Sequence, residues 1–75
     1  MDYCTIAVSA AIAIMRTMAE GEKKYPKNDY MDRPTQEHYD HVLEHMRQYK
    51  VSRDSDELEH ALTRIAIMLM KTEEI

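Results

Sequence analysis

The chain has 75 residues, and 10 Lys and Arg against 14 Asp and Glu give a formal net charge of -4 at pH 7. This length excludes a second domain, because single cores usually serve chains of about 50–200 residues. The acidic balance argues against a general DNA or RNA binder, which normally carries a dense basic patch. One Gly and two Pro leave little room for hairpins, so the composition predicts an all-α domain.

A domain of this size buries only about 60% of its unfolded surface and usually needs a cross-link, a metal or a partner. Cys4 is the only cysteine, which excludes an internal disulfide, and no Cys/His set has the spacing of a structural zinc site. Self-association is the remaining source of stability, and we therefore expect a homo-oligomer. A single thiol is typical of a cytoplasmic protein.

The first helix is predicted over about residues 2–20, with Gly21 as its C-cap. It has almost no polar face, and a helix that is apolar all round must be buried all round. Because two further helices cannot cover it, we expect self-association through residues 3–18. We expect no membrane partner, since the apolar run that Arg16 ends is shorter than the roughly 18 residues that a span requires. Asp2 also stands where a signal peptide carries positive charge.

Two more helices are predicted over about residues 34–50 and 54–71. Pro34 is favoured in a first turn, and Asp54 followed by Glu57 forms a capping-box pattern. The connection between the two helices is short, so we expect them to pack antiparallel within a three-helix unit. The apolar stripe of the second helix contains Tyr39, Val42, Leu43, Met46 and Tyr49. The stripe of the third contains Leu58, Ala61, Leu62, Ile65, Met68 and Leu69.

The loop predicted over residues 21–33, GEKKYPKNDYMDR, is longer than a connector in so small a domain needs. It interleaves lysines with tyrosines: Lys23, Lys24, Tyr25, Lys27 and Tyr30. Lysines suit phosphate groups, and tyrosine rings stack on bases for about 1–3 kcal/mol each. The alternative is a solvated loop that its two tyrosines hold against the core.

Histidines mark two further candidate surfaces. His38, His41 and His45 lie along one border of the second helix's stripe, where they can bind a metal, contact phosphate or cover the edge of the core. His60 and Arg64 lie on a mixed face of the third helix, away from its stripe. Such a face suits a subunit contact or a ligand pocket, in which an arginine clasps phosphate bidentately, or a solvated face with ion pairs.

Four segments carry a family resemblance: GEKKYPKNDY at residues 21–30, Tyr39, the pair Glu44-His45, and EHA at residues 59–61. Together they resemble the N-terminal domain of dATP/dGTP diphosphohydrolases of phages and prophages, with G-x-x-K-Y-G-x-x-N-W, a later R-H and H-x-x-H-A. The resemblance implies an all-helical nucleotide-handling protein. By family position the matched residues are Lys24, Tyr25, His45 and His60, and Tyr30 stands where a Trp is usual.

The chain departs from that family at positions that matter for catalysis. Glu44 replaces the Arg before His45, and Glu57 replaces the first His of H-x-x-H-A. Glu37 and Asp40 form an isolated E-x-x-D, without the second carboxylate pair that holds magnesium in the wider all-helical nucleotide pyrophosphohydrolases. These departures favour binding over hydrolysis.

Three functions follow from these patterns. The first is a small oligomer, similar in size and design to phage proteins that sequester cyclic nucleotide messengers of host immunity, in the cytoplasm of a bacterial host. It needs no cofactor, its pockets form between subunits, and its ligand-binding residues are Lys23, Lys24, Tyr25, Lys27, Tyr30, His45, His60 and Arg64. The second is a diphosphohydrolase that holds Mg or Mn through Glu37, Asp40, His41, Glu44 and His45. The third is a helical protein–protein interaction module.

Overall fold

The computed structural model of the chain describes residues 2–73, which form helices and no strand, so the all-α prediction is confirmed. The helices in chain order are α1 (Tyr3–Glu22), α2 (Asp29–Asp32), α3 (Thr35–Ser52) and α4 (Ser55–Glu73). The short helix α2 lies within the segment that the sequence predicts as a loop. The most extensive packing joins α3 to α4, and α1 also packs on α4.

The two ends of α1 are capped in different ways. At the N-terminus the Asp2 carboxylate accepts a hydrogen bond from the backbone N–H of Thr5 at 2.8 Å, which satisfies one of the free donors of the first turn. The prediction that Gly21 caps the C-terminus is wrong, because Gly21 keeps a negative φ and stays within the helix. The helix continues to Glu22, and Lys23 caps it in a right-handed conformation.

Most of α1 faces outward. Ala13 is its one buried residue, and a salt bridge of 3.0 Å between Arg16 and Glu59 links it to α4. An 18-residue window of α1 has a mean hydropathy of 1.2, so the helix is long and apolar enough to cross a membrane by length and composition alone. The expectation of no membrane partner stays a prediction.

The turn between α3 and α4 consists of Arg53 and Asp54, and each of them satisfies a backbone group at a helix end. Arg53 takes a left-handed backbone conformation, with φ of 60°, and donates its N–H to the carbonyl of Tyr49 at 2.8 Å. The Asp54 carboxylate then accepts from the backbone N–H of Asp56 at 3.0 Å and caps α4. Glu57, the other half of the predicted capping box, contacts His45 instead.

The left-handed conformation at Arg53 predicts a stabilising substitution. A non-glycine residue costs roughly 1–2 kcal/mol there, and glycine does not. We expect Arg53→Gly to raise the free energy of unfolding by about 0.5–1 kcal/mol, after loss of the Arg53 guanidinium from the Tyr49 ring. The control Gln48→Gly, inside α3, should lower it by about 1 kcal/mol. Urea denaturation measures the free energy of unfolding of both variants. An equal loss of stability in Arg53→Gly and Gln48→Gly would contradict the left-handed conformation of Arg53.

The helix pair meets through only part of each predicted apolar stripe, together with residues beside the stripes. His38 is fully buried between α3 and α4, and Ala61, Thr63 and Ile67 are the buried residues of α4. The small side chain of Ala61 lets the helices approach closely. The stripe residues that stay largely exposed are Tyr39, Leu43, Met46, Leu58, Ile65 and Leu69.

Candidate functional site

A pocket of about 580 Å³ lies between the end of α1, the segment after it, α3 and α4. Seven of the eight predicted ligand-binding residues line it: Lys24, Tyr25, Lys27, Tyr30, His45, His60 and Arg64. Lys23, the eighth, is the cap of α1 and does not line it. Residues of a single chain line this pocket, and the expectation that pockets form between subunits stays a prediction.

His38 connects the walls of the pocket. Its Nε2 lies 2.9 Å from the carbonyl oxygen of Tyr30, and its Nδ1 lies 2.8 Å from Nη1 of Arg64. A guanidinium can only donate, so Nδ1 must accept, and Nε2–H donates to the carbonyl. Burial lowers the pKa of His38, although the hydrogen bond to Tyr30 opposes this, and the charges of Arg64 and Lys71 lower it further. His38 is therefore a neutral imidazole with both ring nitrogens occupied.

Arg64 is the cation that this arrangement orients. Burial lowers the pKa of Arg64 from its usual value, yet a guanidinium remains protonated in proteins. One N–H group is occupied by His38, and the other donors have no hydrogen-bond partner among residues 2–73. Since Arg64 lines the pocket, those donors are available to a ligand there.

Contacts from Lys71 and from Arg33 hold the segment that carries the lysines and tyrosines. Lys71 of α4 donates to the carbonyl oxygens of Met31 and Arg33 at the end of α2. The Arg33 guanidinium donates to Asp29 at 2.7 Å and lies 5.6 Å from the centre of the Tyr25 ring. These contacts hold one face of the Tyr25 ring against a cation. The segment is thus an ordered wall of the pocket.

Three histidines form another wall. The ring centres of His41 and His45 are 6.3 Å apart, and those of His45 and His60 are 5.1 Å apart, edge to face. Nδ1 of His45 lies 2.7 Å from a carboxylate oxygen of Glu57, and Nε2 of His60 lies 3.8 Å from one of Glu20. Burial lowers the pKa of His41 first, and Arg64 adds to the effect. This wall offers imidazole nitrogens for hydrogen bonds to polar ligand groups.

The carboxylates of the enzyme alternative lie outside the pocket. They bond to neighbours on their own helix or just before it: Glu37 to Arg33 at 3.1 Å, Asp40 to Gln36 at 2.9 Å, and Glu44 to Arg47 at 2.8 Å. The hydrogen bonds from Arg47 and Gln48 lower the pKa of Glu44 to about 2. Within residues 2–73 no three or more His, Cys, Asp or Glu side chains are grouped to hold a metal ion.

Sequence reasoning missed two residues of the site. The sequence patterns predict His38 only as one of three border histidines, and they predict no role for Arg33. The spacing of His38, Val42, His45 and Tyr49 marks the face of α3 that turns towards α4, and this pattern was available from the sequence. No protein-family model, curated protein or solved structure matches this chain, so the resemblance to the dATP/dGTP diphosphohydrolases stays a prediction.

Proposed function

We propose that the chain binds a nucleotide or cyclic nucleotide in the pocket and sequesters it without hydrolysis. The observation that carries the proposal is the guanidinium of Arg64, which lines the pocket, is oriented by His38 and has further donors that no residue of the described range 2–73 engages. A planar guanidinium donates two parallel hydrogen bonds to a phosphate group, so Arg64 is the expected phosphate contact. Lys24 and Lys27 add positive charge at the rim.

The aromatic side chains support a base-binding role on the same wall. The Tyr25 ring is about half exposed, and its neighbour Tyr30 also lines the pocket. A base stacked on such a ring gains about 1–3 kcal/mol. The pocket volume of about 580 Å³ falls in the range of roughly 300–1,000 Å³ that is usual for small-molecule sites.

The placement of the carboxylates favours capture over hydrolysis. A magnesium-dependent diphosphohydrolase needs carboxylates beside the phosphates, to hold the cation that activates water. Glu37, Asp40 and Glu44 do not line the pocket, and each is engaged by another side chain. Glu20, Glu22 and Asp29 do line the pocket, but within residues 2–73 they form no group of three or more side chains placed to hold a metal ion. We therefore assign phosphate recognition to Arg64 and the lysines.

The proposal includes the assembly and the setting. We propose a three-helix unit whose α3 and α4 run antiparallel, and which forms a homo-oligomer through residues 3–18. The large apolar side chains of α1 support this assembly, because several of them are exposed by 44% or more: Tyr3, Ile6, Val8, Ile12 and Met15. In the cytoplasm of a bacterial host, such a protein would withhold a nucleotide signal of the defence system from its receptor.

Thermal melting of the full chain with a nucleotide panel tests the function. The panel contains nucleoside mono-, di- and triphosphates and cyclic mono-, di- and trinucleotides, each with and without Mg or Mn. A ligand at about 100 times its Kd stabilises the folded state by about 2.7 kcal/mol, which raises the Tm of so small a domain by about 10 °C or more. Mass spectrometry of the released ligand should then find it chemically intact.

Two outcomes would overturn the proposal. Hydrolysis that needs added Mg or Mn and disappears in Glu44→Gln would establish the enzyme alternative. No Tm increase with any nucleotide, in a protein that stays folded, would favour the helical protein–protein interaction module.

A further inference from the structure

The predicted stripes of α3 and α4 form a second apolar surface, which we call the outer face. It consists of Tyr39, Leu43 and Met46 of α3 and of Leu58, Ile65 and Leu69 of α4. Each of these side chains is between 37% and 61% exposed, although all six are large and apolar. The outer face belongs to neither the pocket nor the apolar surface of α1.

The contacts between the two helices place both stripes on the same side of the pair. His38 contacts Arg64 and His45 contacts Glu57, so the first part of α3 lies beside the second part of α4. In α3 and in α4, each residue of the outer face comes one position after a residue that faces the other helix. One position corresponds to a rotation of about 100° about the helix axis. Because the two helices run past each other in opposite senses, these rotations bring the stripes to one side. His41 and His60, which line the pocket, lie on the other side.

The spacing within the stripes indicates what covers them. Residues 39, 43 and 46 of α3 and residues 58, 62, 65 and 69 of α4 alternate steps of four and three. This is the a/d pattern of helices that pack side by side in coiled coils and four-helix bundles. None of these seven positions is charged, so two such faces meet without like-charge repulsion. A lipid surface needs no such regular spacing, and a helix pair does.

The surface area of the chain also matches a missing helical partner. A compact monomer of 8.9 kDa is expected to expose about 4,800 Å². This chain exposes 5936 Å², which is on the order of 1,000 Å² more. A stable protein–protein interface of standard size removes about 800 Å² from each partner. The exposed side chains of α1 and of the outer face both contribute to this excess, which is large enough for one such interface.

We infer that the outer face packs against the outer face of a second copy of this chain, so that two α3–α4 pairs close a four-helix bundle about a two-fold axis. A patch that is apolar on both of its helices is complementary to itself, which is the requirement of a two-fold interface. The pocket lies on the opposite side and stays open in the bundle. This inference is independent of the proposed ligand binding and of the proposed contact through residues 3–18, because it uses none of those residues.

The experiment measures the molar mass of the full chain by sedimentation equilibrium, and compares Leu43→Glu with the matched control Ile6→Glu. Leu43 and Ile6 are exposed to nearly the same extent, 53% and 55%, but Ile6 lies on α1. At a two-fold contact, one substitution changes both copies, so Leu43→Glu buries two unpaired charges in the interface. It should therefore reduce the molar mass about two-fold. Because Ile6 belongs to the separate α1 surface that the proposed function assigns to assembly, Ile6→Glu should remove only contacts through α1 and retain the two-copy species of the outer face.

Circular dichroism must show unchanged helicity in both variants. The concentration dependence of the Tm of the unaltered chain is a second measurement, which needs no variant. If two copies fold together, its Tm rises with protein concentration. A mass of one chain at all concentrations, with a constant Tm, would overturn the inference, as would Leu43→Glu that keeps the full mass. If the unaltered chain floats with phosphatidylcholine vesicles and Leu43→Glu does not, the outer face binds a lipid surface. That result would also overturn the inference.

Discussion

His38→Phe is expected to lower the free energy of unfolding by about 2–4 kcal/mol. The phenyl ring fills the space of the imidazole but offers no donor or acceptor. The carbonyl of Tyr30 and one N–H group of Arg64 therefore lose their partner inside the protein. Each unsatisfied buried polar group costs about 1–3 kcal/mol, and one of these two belongs to a cation. Urea denaturation at a fixed protein concentration measures the loss.

His41→Phe is the matched control, because His41 lies one turn later on α3 and is exposed. It should change the free energy of unfolding by about 0.5 kcal/mol or less, as surface substitutions do. His38→Gln keeps one acceptor and one donor and should fall between the two. Equal stability of His38→Phe and His41→Phe would show that the Tyr30–His38–Arg64 connection does not contribute to folding.

The same histidine gives the stability a pH dependence. Burial lowers the pKa of His38 in the folded protein, whereas an unfolded histidine titrates near 6.5. The unfolded state then binds more protons, so stability increases with pH. The contribution is complete above about pH 6.5 and is lost as the pH falls through the lowered pKa. The Tm should therefore drop between pH 7.5 and 5.5, and the drop should be smaller in His38→Gln.

Arg64→Ala is expected to raise the Kd for the nucleotide with the largest thermal shift by about 10–100-fold. Hydrogen bonds to charged groups contribute about 1.5–3 kcal/mol, and the substitution removes the guanidinium that lines the pocket. Arg64→Lys keeps the charge but loses the planar pair of donors, so an intermediate Kd is expected. Isothermal titration calorimetry, well below the Tm of each variant, measures the three values.

Arg47→Ala is the control for lost positive charge. Arg47 is exposed on α3, pairs with Glu44 and does not line the pocket. Its removal should change the Kd by less than about two-fold, since an exposed charge is screened by salt over about 10 Å. If Arg47→Ala and Arg64→Ala weaken binding equally, nonspecific attraction would account for the affinity and the pocket would not.

The sequence predicts the helical elements well and the packing of the helix pair poorly. Few turn-forming residues, Pro34 before α3 and Asp54 before α4 are local signals, and the structure has helices where they point. Hydrophobic periodicity ranks Leu43 and Ile65 as inward-facing, but both are about half exposed. The periodicity of one helix cannot tell whether an apolar stripe faces its own chain or a second copy.

The site is predicted in its residue types and not in its construction. The alternation of lysine and tyrosine is visible in residues 23–30, but the pocket wall they form depends on Lys71, which is 40 residues from Met31. The two hydrogen-bond partners of the buried His38 lie 8 and 26 residues away from it in the chain. Contacts at such separations leave no spacing signal, so a single sequence does not contain them in readable form.

The lining of the pocket by one chain has a quantitative consequence for the proposed sequestration. Under the proposed function, each chain of 8.9 kDa would withhold one ligand molecule, whatever the number of copies in the assembly. A protein that binds a signal without turning it over lowers the free concentration of the signal by stoichiometric binding. The number of copies of the chain sets how much ligand is bound. The Kd sets how low the free ligand concentration falls once the chains outnumber the ligand. A short chain keeps the mass of protein synthesised per captured molecule small.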